Sequence, residues 1–260
     1  MDLSLRGRRA VITGGSKGIG LAVARELASE GANVAICART ASEVASADSE
    51  LRALGGIVYS QTVDVTVAEQ VTDFIDRAAD ALGGIDILVN NAGAAHPGNF
   101  DSLTDEVWQG DLDVKLFSQI RCTRAARTYL QQSTTGRVIN VNAIYARYPD
   151  PKFFATTVCR AACLNLSKAL AIELGPENIL VNSVNIGFVV TPQWNNIHQI
   201  QAPALSFDEF LSSRAEAEVP LGRFGTVEEV SGIIAFLASP RASYITGASI
   251  DVAGGMGKYV

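Results

Sequence analysis

After a short apolar run the chain reads Thr13-Gly14-Gly15-Ser16-Lys17-Gly18-Ile19-Gly20 and then enters a helical pattern. Glycines at this spacing let a backbone turn sharply and approach a pyrophosphate. The N-terminus of the following helix adds amide donors and partial positive charge. A glycine triplet alone also serves ordinary turns; here the strand before it and the helix after it point to a nucleotide. The end of the second strand pattern bears on which nucleotide. An acidic residue there would hydrogen-bond the ribose 2′-hydroxyl of NAD(H), but the sequence is Cys37-Ala38-Arg39-Thr40. Arg39 can pair with a 2′-phosphate, and Lys17 can reach the same group, although either could equally be a solvated surface charge. With the acid missing, the two cations favour NADP(H) over NAD(H).

Regular elements must hold this loop in place. Strand-like runs are RRAVIT (8–13), NVAIC (33–37), IVYSQTV (57–63), IDILVN (85–90), RVINV (137–141), ILVNSVN (179–185) and ASIDV (248–252). Between most of them lie helical patterns such as LAVARELASEG and VTDFIDRAADALGG, each closing on glycine as helix C-termini do. Near-continuous apolar strands separated by amphipathic helices imply a parallel sheet covered on both faces. The expected fold is therefore α/β, a Rossmann-type doubly wound parallel sheet in a single domain over 1–260. One long stretch, 188–226, reads as irregular, and is expected to be either a substrate lid or a surface excursion.

Composition narrows the field. With 48% apolar and 18% charged residues, the 260-residue chain has ample material for a core. A net charge of −6 argues against nucleic acid, whose phosphates call for clustered Lys and Arg. No apolar run approaches the roughly 20 residues that span a bilayer. The opening residues enter a strand pattern at once, which leaves no room for a signal peptide and suggests a cytoplasmic protein. The four cysteines, Cys37, Cys122, Cys159 and Cys163, form no CxxC pair, and Cys159 and Cys163, one helical turn apart, are expected to pack. His96 and His198 lack the spacing partners of a metal site, so no metal is expected. No GxSxG turn supports Ser/His/Asp hydrolysis.

Taken together, these motifs resemble the short-chain dehydrogenase/reductase family over nearly the whole length. TGGSKGIG is similar to the family's TGxxxGxG; Asp64-Val65 resembles the pair that holds the adenine; Asn90-Asn91-Ala92-Gly93 is the family's NNAG. Gly187, Val189 and Thr191 fall where a PGxVxT segment meets the nicotinamide carboxamide, with Ile186 in place of the proline. TGASIDVAGG resembles the closing strand, which implies a homo-oligomer, a dimer or tetramer. The resemblance also implies a catalytic Asn, Ser, Tyr and Lys, in which Tyr protonates the substrate oxygen and Lys lowers the Tyr pKa and binds the nicotinamide ribose.

In that register Ala143 stands at the serine, Thr156 at the tyrosine, Arg160 at the lysine and Lys115 at the asparagine. Tyr148-Pro-Asp-Pro-Lys152 is a literal Y-x3-K, but Pro149 and Pro151 forbid the helical turn that would pair its ends. The enoyl-reductase spacing fails too, since Phe153 lies seven residues before Arg160. Thr156 is a poor acid near neutrality, and Arg160 holds its proton but can anchor the ribose or an anionic substrate. Lys115, if desolvated, could act as acid or base; equally, it could fill the asparagine's space with its ammonium at the pocket edge. Asn142, Tyr145, Tyr148, His96 and Trp194 are candidate pocket residues, and His96 is a candidate proton donor. Three functions remain open: an oxidoreductase of a partly hydrophobic carbonyl or hydroxyl compound with a non-standard site, a catalytically silent subunit pairing with an active homologue, or a cofactor-sensing regulator.

Overall fold

A computed structural model describes residues 2–257. Among them, strands β1 (Arg9–Thr13), β2 (Asn33–Ala38), β3 (Val58–Thr62), β4 (Ile87–Asn90), β5 (Gly136–Ala143), β6 (Ile179–Ile186) and β7 (Ser249–Val252) form one sheet in the order β3-β2-β1-β4-β5-β6-β7. Every neighbouring pair is parallel, with Val11 of β1 set between Ala35 of β2 and Leu88 of β4. Each run read as a strand is one, shifted at its ends: IDILVN starts pairing only at Ile87, and RVINV runs on to Ala143.

Helices cover both faces, as a parallel sheet requires. One face carries α1 (Gly18–Ser29), α2 (Ala41–Arg52) and α9 (Val227–Ala238), the other α3 (Ala68–Leu82), α5 (Ser118–Gln132) and α6 (Phe154–Leu174). In α3 the buried residues Val71, Phe74, Ile75, Ala78, Ala79 and Leu82 recur at helical spacing and form one apolar stripe. The helix stops at Gly83, whose φ of +78° is the left-handed conformation that glycine takes without penalty. The far end of the sheet is pinned by Asp86, which accepts bonds from Arg9 Nε (2.8 Å), Arg9 Nη2 (2.6 Å) and Ser133 Oγ (2.6 Å).

The stretch read as irregular is mostly helical, which corrects that expectation. It holds α7 (Pro192–Gln201) and α8 (Phe207–Glu218). Pro192 sits in the first turn of α7, where a missing N–H costs nothing, and Ser206 and Glu209 form a capping box at the start of α8. The excursion is closed at its base by a bridge between Val189 and Gly225. Its own small core contains Phe188, Trp194, Phe210 and Phe224, with the Arg214 guanidinium 5.3 Å from the Phe188 ring centroid. His198 is spent inside it, with Nε2 2.8 Å from the Leu205 carbonyl.

Strand order reverses between β1 and β4, so the chain leaves these two strands in opposite directions and opens a crevice beyond their carboxyl ends. In open α/β sheets ligands bind at such a point. Here the crevice becomes a cavity of about 330 Å³.

Candidate active site

The loop after β1 forms one end of the cavity. Gly14 and Gly18 have φ of +66° and +55°, where other residues are strained. A Cβ on Gly20 would lie 2.2 Å from the Gly14 carbonyl oxygen and 2.4 Å from Asn91 Nδ2, so only glycine lets α1 start this close to the loop. Asn91 ties β4 to the same loop: its Nδ2 donates to Thr13 O and Gly14 O, both at 3.0 Å, while Thr13 Oγ1 accepts from the amides of Asn91 and Ala92, both at 3.1 Å. Gly14, Ser16, Lys17, Gly18 and Ile19 line the cavity from one strand end, and Asn91, Ala92 and Gly93 from the next. Gly187, Val189 and Thr191, beyond β6, close it from the far side. This cradle fits a dinucleotide: bare backbone at a helix N-terminus for the pyrophosphate, at a depth that a Cβ would block.

Two of the expected residues at this end already have partners of their own. Asp64 does not line the cavity; its Oδ1 accepts from the Thr66 amide (2.9 Å) and hydroxyl (2.7 Å), so the carboxylate is used in its own turn, and Val65 alone of the pair faces inward. Lys17 is not a free cation. Its Nζ lies 2.6 Å from Glu43 Oε1, and Glu43 also lines the cavity. Glu43, in the first turn of α2, was not singled out by the sequence. The signal was there, an acid four residues after Arg39. Lys17 holds the Glu43 carboxyl below the usual range. Arg39 is exposed on the same wall.

At the other end, Thr156 and Arg160 lie one turn apart on α6 and both line the cavity, with Ala143, Tyr145, Phe153 and Trp194. Arg160 is buried; its Nη1 donates to the Val141 carbonyl at 2.9 Å and its Nε has no partner among the described residues. Burial pulls its pKa down. Asn142 is buried behind the wall and donates to the Arg160 carbonyl at 3.1 Å. Neither Asn142 nor Tyr148 lines the cavity, contrary to expectation: successive β5 side chains alternate between faces, and residues 147–152 leave the wall in a non-helical turn.

Lys115 is not at the pocket edge. It is wholly buried, as is Asp111, and its Nζ lies 2.5 Å from Asp111 Oδ1. Asp111 is the residue that sequence reasoning missed. Its Oδ2 accepts from Thr156 Oγ1 at 3.1 Å, and its Oδ1 is in short contact with His96 Nδ1. Thus His96 from the loop after β4, Asp111 and Lys115, and Thr156 from α6 meet at one carboxylate. Asp111 closes α4 (Asp105–Leu112), and between α4 and α5 the helix widens over Asp113–Phe117 into a π turn. Such turns recur at functional sites because the extra residue re-aims side chains. Burial lowers the Lys115 pKa, helped by the nearby Arg160 charge, while Asp111 opposes the shift. Burial would raise Asp111, but His96 and Lys115 outweigh it and hold the carboxyl below its ordinary range.

Cys159, near this cluster, is a packed thiol, pushed up to about 11 by burial. Among the described residues no group of His, Cys, Asp and Glu is placed to hold a metal ion. No helix among them is long and apolar enough to cross a membrane.

The family model described as "Enoyl-(Acyl carrier protein) reductase" matches residues 14–257. The chain belongs to the short-chain dehydrogenase/reductase family. Among relatives of this family, a protein of Streptomyces virginiae named as a ketoacyl reductase of monensin polyketide synthase is 38% identical over 97% of this chain and 98% of its own. The L-sorbose reductase of Gluconobacter frateurii, solved with NADPH and L-sorbose, has a TM-score of 0.95 at 33% identity, covering 100% of both chains. A short-chain oxidoreductase of Pseudomonas aeruginosa PAO1, described as containing an atypical catalytic center, was solved in apo form (TM-score 0.93, 37% identity, 100% of both chains). An NADPH-bound structure under the same description has a TM-score of 0.91 at 37% identity, covering 96% and 97% of the two chains.

Proposed function

We propose that this short-chain dehydrogenase/reductase is an NADP(H)-dependent oxidoreductase of a carbonyl or hydroxyl group on a small, partly apolar molecule. Its active centre carries Ala143, Thr156, Arg160 and Lys115 at the family's Ser, Tyr, Lys and Asn positions. One observation carries the reading. The cavity that begins at the glycine loop ends at Thr156, whose hydroxyl donates to a wholly buried carboxylate paired with a wholly buried lysine. Burying such charges costs several kcal/mol per ion, and apolar side chains would fill the same space without that cost. A charge cluster retained at the wall of a nucleotide cavity supports chemistry over drift. The NADPH-bound Pseudomonas oxidoreductase with an atypical center supports it further.

The amides of Gly14–Ile19 would hold the pyrophosphate, Ser16, Lys17 and Arg39 the 2′-phosphate, and Val65 the adenine. Asn91, Gly93 and Arg160 would hold the nicotinamide ribose, and Gly187, Val189 and Thr191 the carboxamide. The bound nicotinamide supplies hydride exchange at the substrate carbon. Arg160 keeps its proton and acts as an anchor. Lys115, behind the wall, serves as a fixed positive neighbour of Asp111. Tyr145, stacked on Phe153 with centroids 5.5 Å apart, and Trp194 give the substrate end an apolar surface, and α7, with Phe210 of α8 in the same apolar cluster as its Trp194 and Ile197, forms its lid. The outer edge of β7, the last strand of the sheet among the described residues, would be the surface for a homo-oligomer.

Purified protein titrated with NADPH, then offered aldehydes and ketones, tests the reading. Turnover is expected, and Thr156→Val should lower kcat by roughly 100-fold while leaving NADPH affinity nearly unchanged. The four substitutions favour one rival, a silent subunit. NADPH binding without turnover, with turnover restored by a copurifying homologue, would select it.

A further inference from the structure

The reading above leaves open where the substrate's proton comes from and goes. We infer that His96, Asp111 and Thr156 form a proton path between solvent and the substrate oxygen, with Lys115 as its stationary countercharge. The inference rests on the oxidoreductase reading. Its basis is the way each member is placed. The His96 side chain is 47% exposed, so the ring reaches solvent, while the Asp111 side chain it touches is 0% exposed. The two carboxylate oxygens are divided between the two ends: Oδ1 faces His96 and Lys115, Oδ2 faces Thr156. Thr156 in turn lines the cavity. The groups around the carboxylate are His96 from the loop after β4, Lys115 from its own helix, and Thr156, Cys159 and Arg160 from α6. Of these, His96 is the ionisable group that solvent reaches.

The hydrogen-bond direction sets the starting state. Because Thr156 gives its hydrogen to Asp111, the lone pairs of its oxygen are what it offers to the cavity. That is the arrangement needed to receive a proton from a substrate hydroxyl. In alcohol oxidation the substrate O–H bond breaks and its proton joins Thr156 Oγ1, as the Thr156 O–H bond breaks and that proton joins Asp111 Oδ2. His96, whose proton rests on Nδ1, first gives it to water and takes one from water at Nε2; a half-turn of the carboxyl about Cβ–Cγ then carries the Asp111 proton to the emptied Nδ1, and Nε2 returns its proton to water, which restores the resting state. A bound oxidised nicotinamide would supply the hydride acceptor, so that one hydride and one proton would leave the substrate and a carbonyl would remain. Carbonyl reduction runs the same steps backward. A threonine, useless as a free acid, suffices here because it only relays a proton between two partners.

The test combines kinetics with spectroscopy on the whole chain. His96 is half exposed, so His96→Ala should fold normally. Its kcat should fall by about tenfold or more with KM and NADPH affinity nearly unchanged, and added imidazole should restore the rate. Thr156→Ser should retain most of the activity that Thr156→Val loses, since the hydroxyl remains. In the cofactor-free protein, proton NMR should show a downfield His96 Nδ1–H resonance that disappears in Asp111→Asn. A His96→Ala variant with the parent kcat and no response to imidazole overturns the path and leaves the oxidoreductase reading standing. A parent protein that binds NADPH and reduces nothing overturns both.

Discussion

In the proposed reading Lys17 and Arg39 share one task, holding a 2′-phosphate, but they stand in different circumstances. Arg39 is open to solvent, whereas Lys17 is held 2.6 Å from Glu43. An exposed ion pair of this kind contributes only about 0–1 kcal/mol, so a 2′-phosphate can take Lys17 from Glu43, but Glu43 then faces the phosphate unpaired. NADPH should bind more tightly than NADH, and Arg39→Ala should weaken NADPH by about 1–3 kcal/mol while sparing NADH. Glu43→Gln should act in the opposite sense and raise NADPH affinity by up to about fivefold. Titration calorimetry on the three proteins measures all of this; equal affinity of the parent for both cofactors would remove the preference. A second residue-scale consequence concerns Lys115 and Asp111. Lys115→Met leaves a buried carboxylate without its countercharge and should cost about 3–5 kcal/mol in urea unfolding. The double change Lys115→Met with Asp111→Asn should recover a large part of that loss. Additive losses would mean that the two side chains do not depend on each other.

Among the elements, the strands were legible because β4, β5 and β6 are buried on both faces and read as near-continuous apolar runs. The glycine loop was legible because its geometry admits little else. Helices α7 and α8 were not, because they pack on a small aromatic cluster of their own and carry no regular apolar stripe. Asp111 was hidden for a different reason. Its spacing to Lys115 is an ordinary i,i+4 acid–base pair, which on most helices is a surface feature. Only the convergence of three elements distant in sequence turns it into a buried centre. Asp86, at the amino-terminal ends of the central strands, is buried too, but structurally. Burial would raise its pKa, yet bonds from Arg9 and Ser133 win and depress it. A depressed carboxylate contributes stability that is full above its unfolded value of about 3.9 and is lost as pH falls through the lower folded value. Asp86→Asn should therefore destabilise the protein near neutrality by about 1–3 kcal/mol. The gap between parent and variant should close as the solution becomes strongly acidic. A gap that persists unchanged in acid denaturation would show that the charge is not what matters.

For the molecule as a whole, the sheet order separates two jobs. The nucleotide cradle stands on β1 and β4, while the chemical end is built from β5, α6 and the segment after β6. Side chains at the far end can therefore differ without disturbing the cradle, so TGGSKGIG and NNAG are compatible with threonine and arginine on α6. The same separation makes a reconstruction informative. Ala143→Ser, Thr156→Tyr and Arg160→Lys together would restore three of the family's four catalytic groups, with a phenol of pKa about 10 beside a lysine that lowers it. NADPH should still bind, since the cradle is untouched apart from the Arg160 anchor, and lysine keeps that charge while losing the planar fork. The tyrosine, however, would take away the short hydroxyl that reaches Asp111 and would project into the cavity instead. If the buried carboxylate serves the native reaction, the triple variant should lose most of the native rate on the native substrate, even if it gains slight activity on simple carbonyls. If the parent chain is silent, the same variant should show weak carbonyl reduction where there was none, with no native rate to lose. NADPH consumption by parent and variant, measured with the same carbonyl panel, separates the two, because the sign of the change differs.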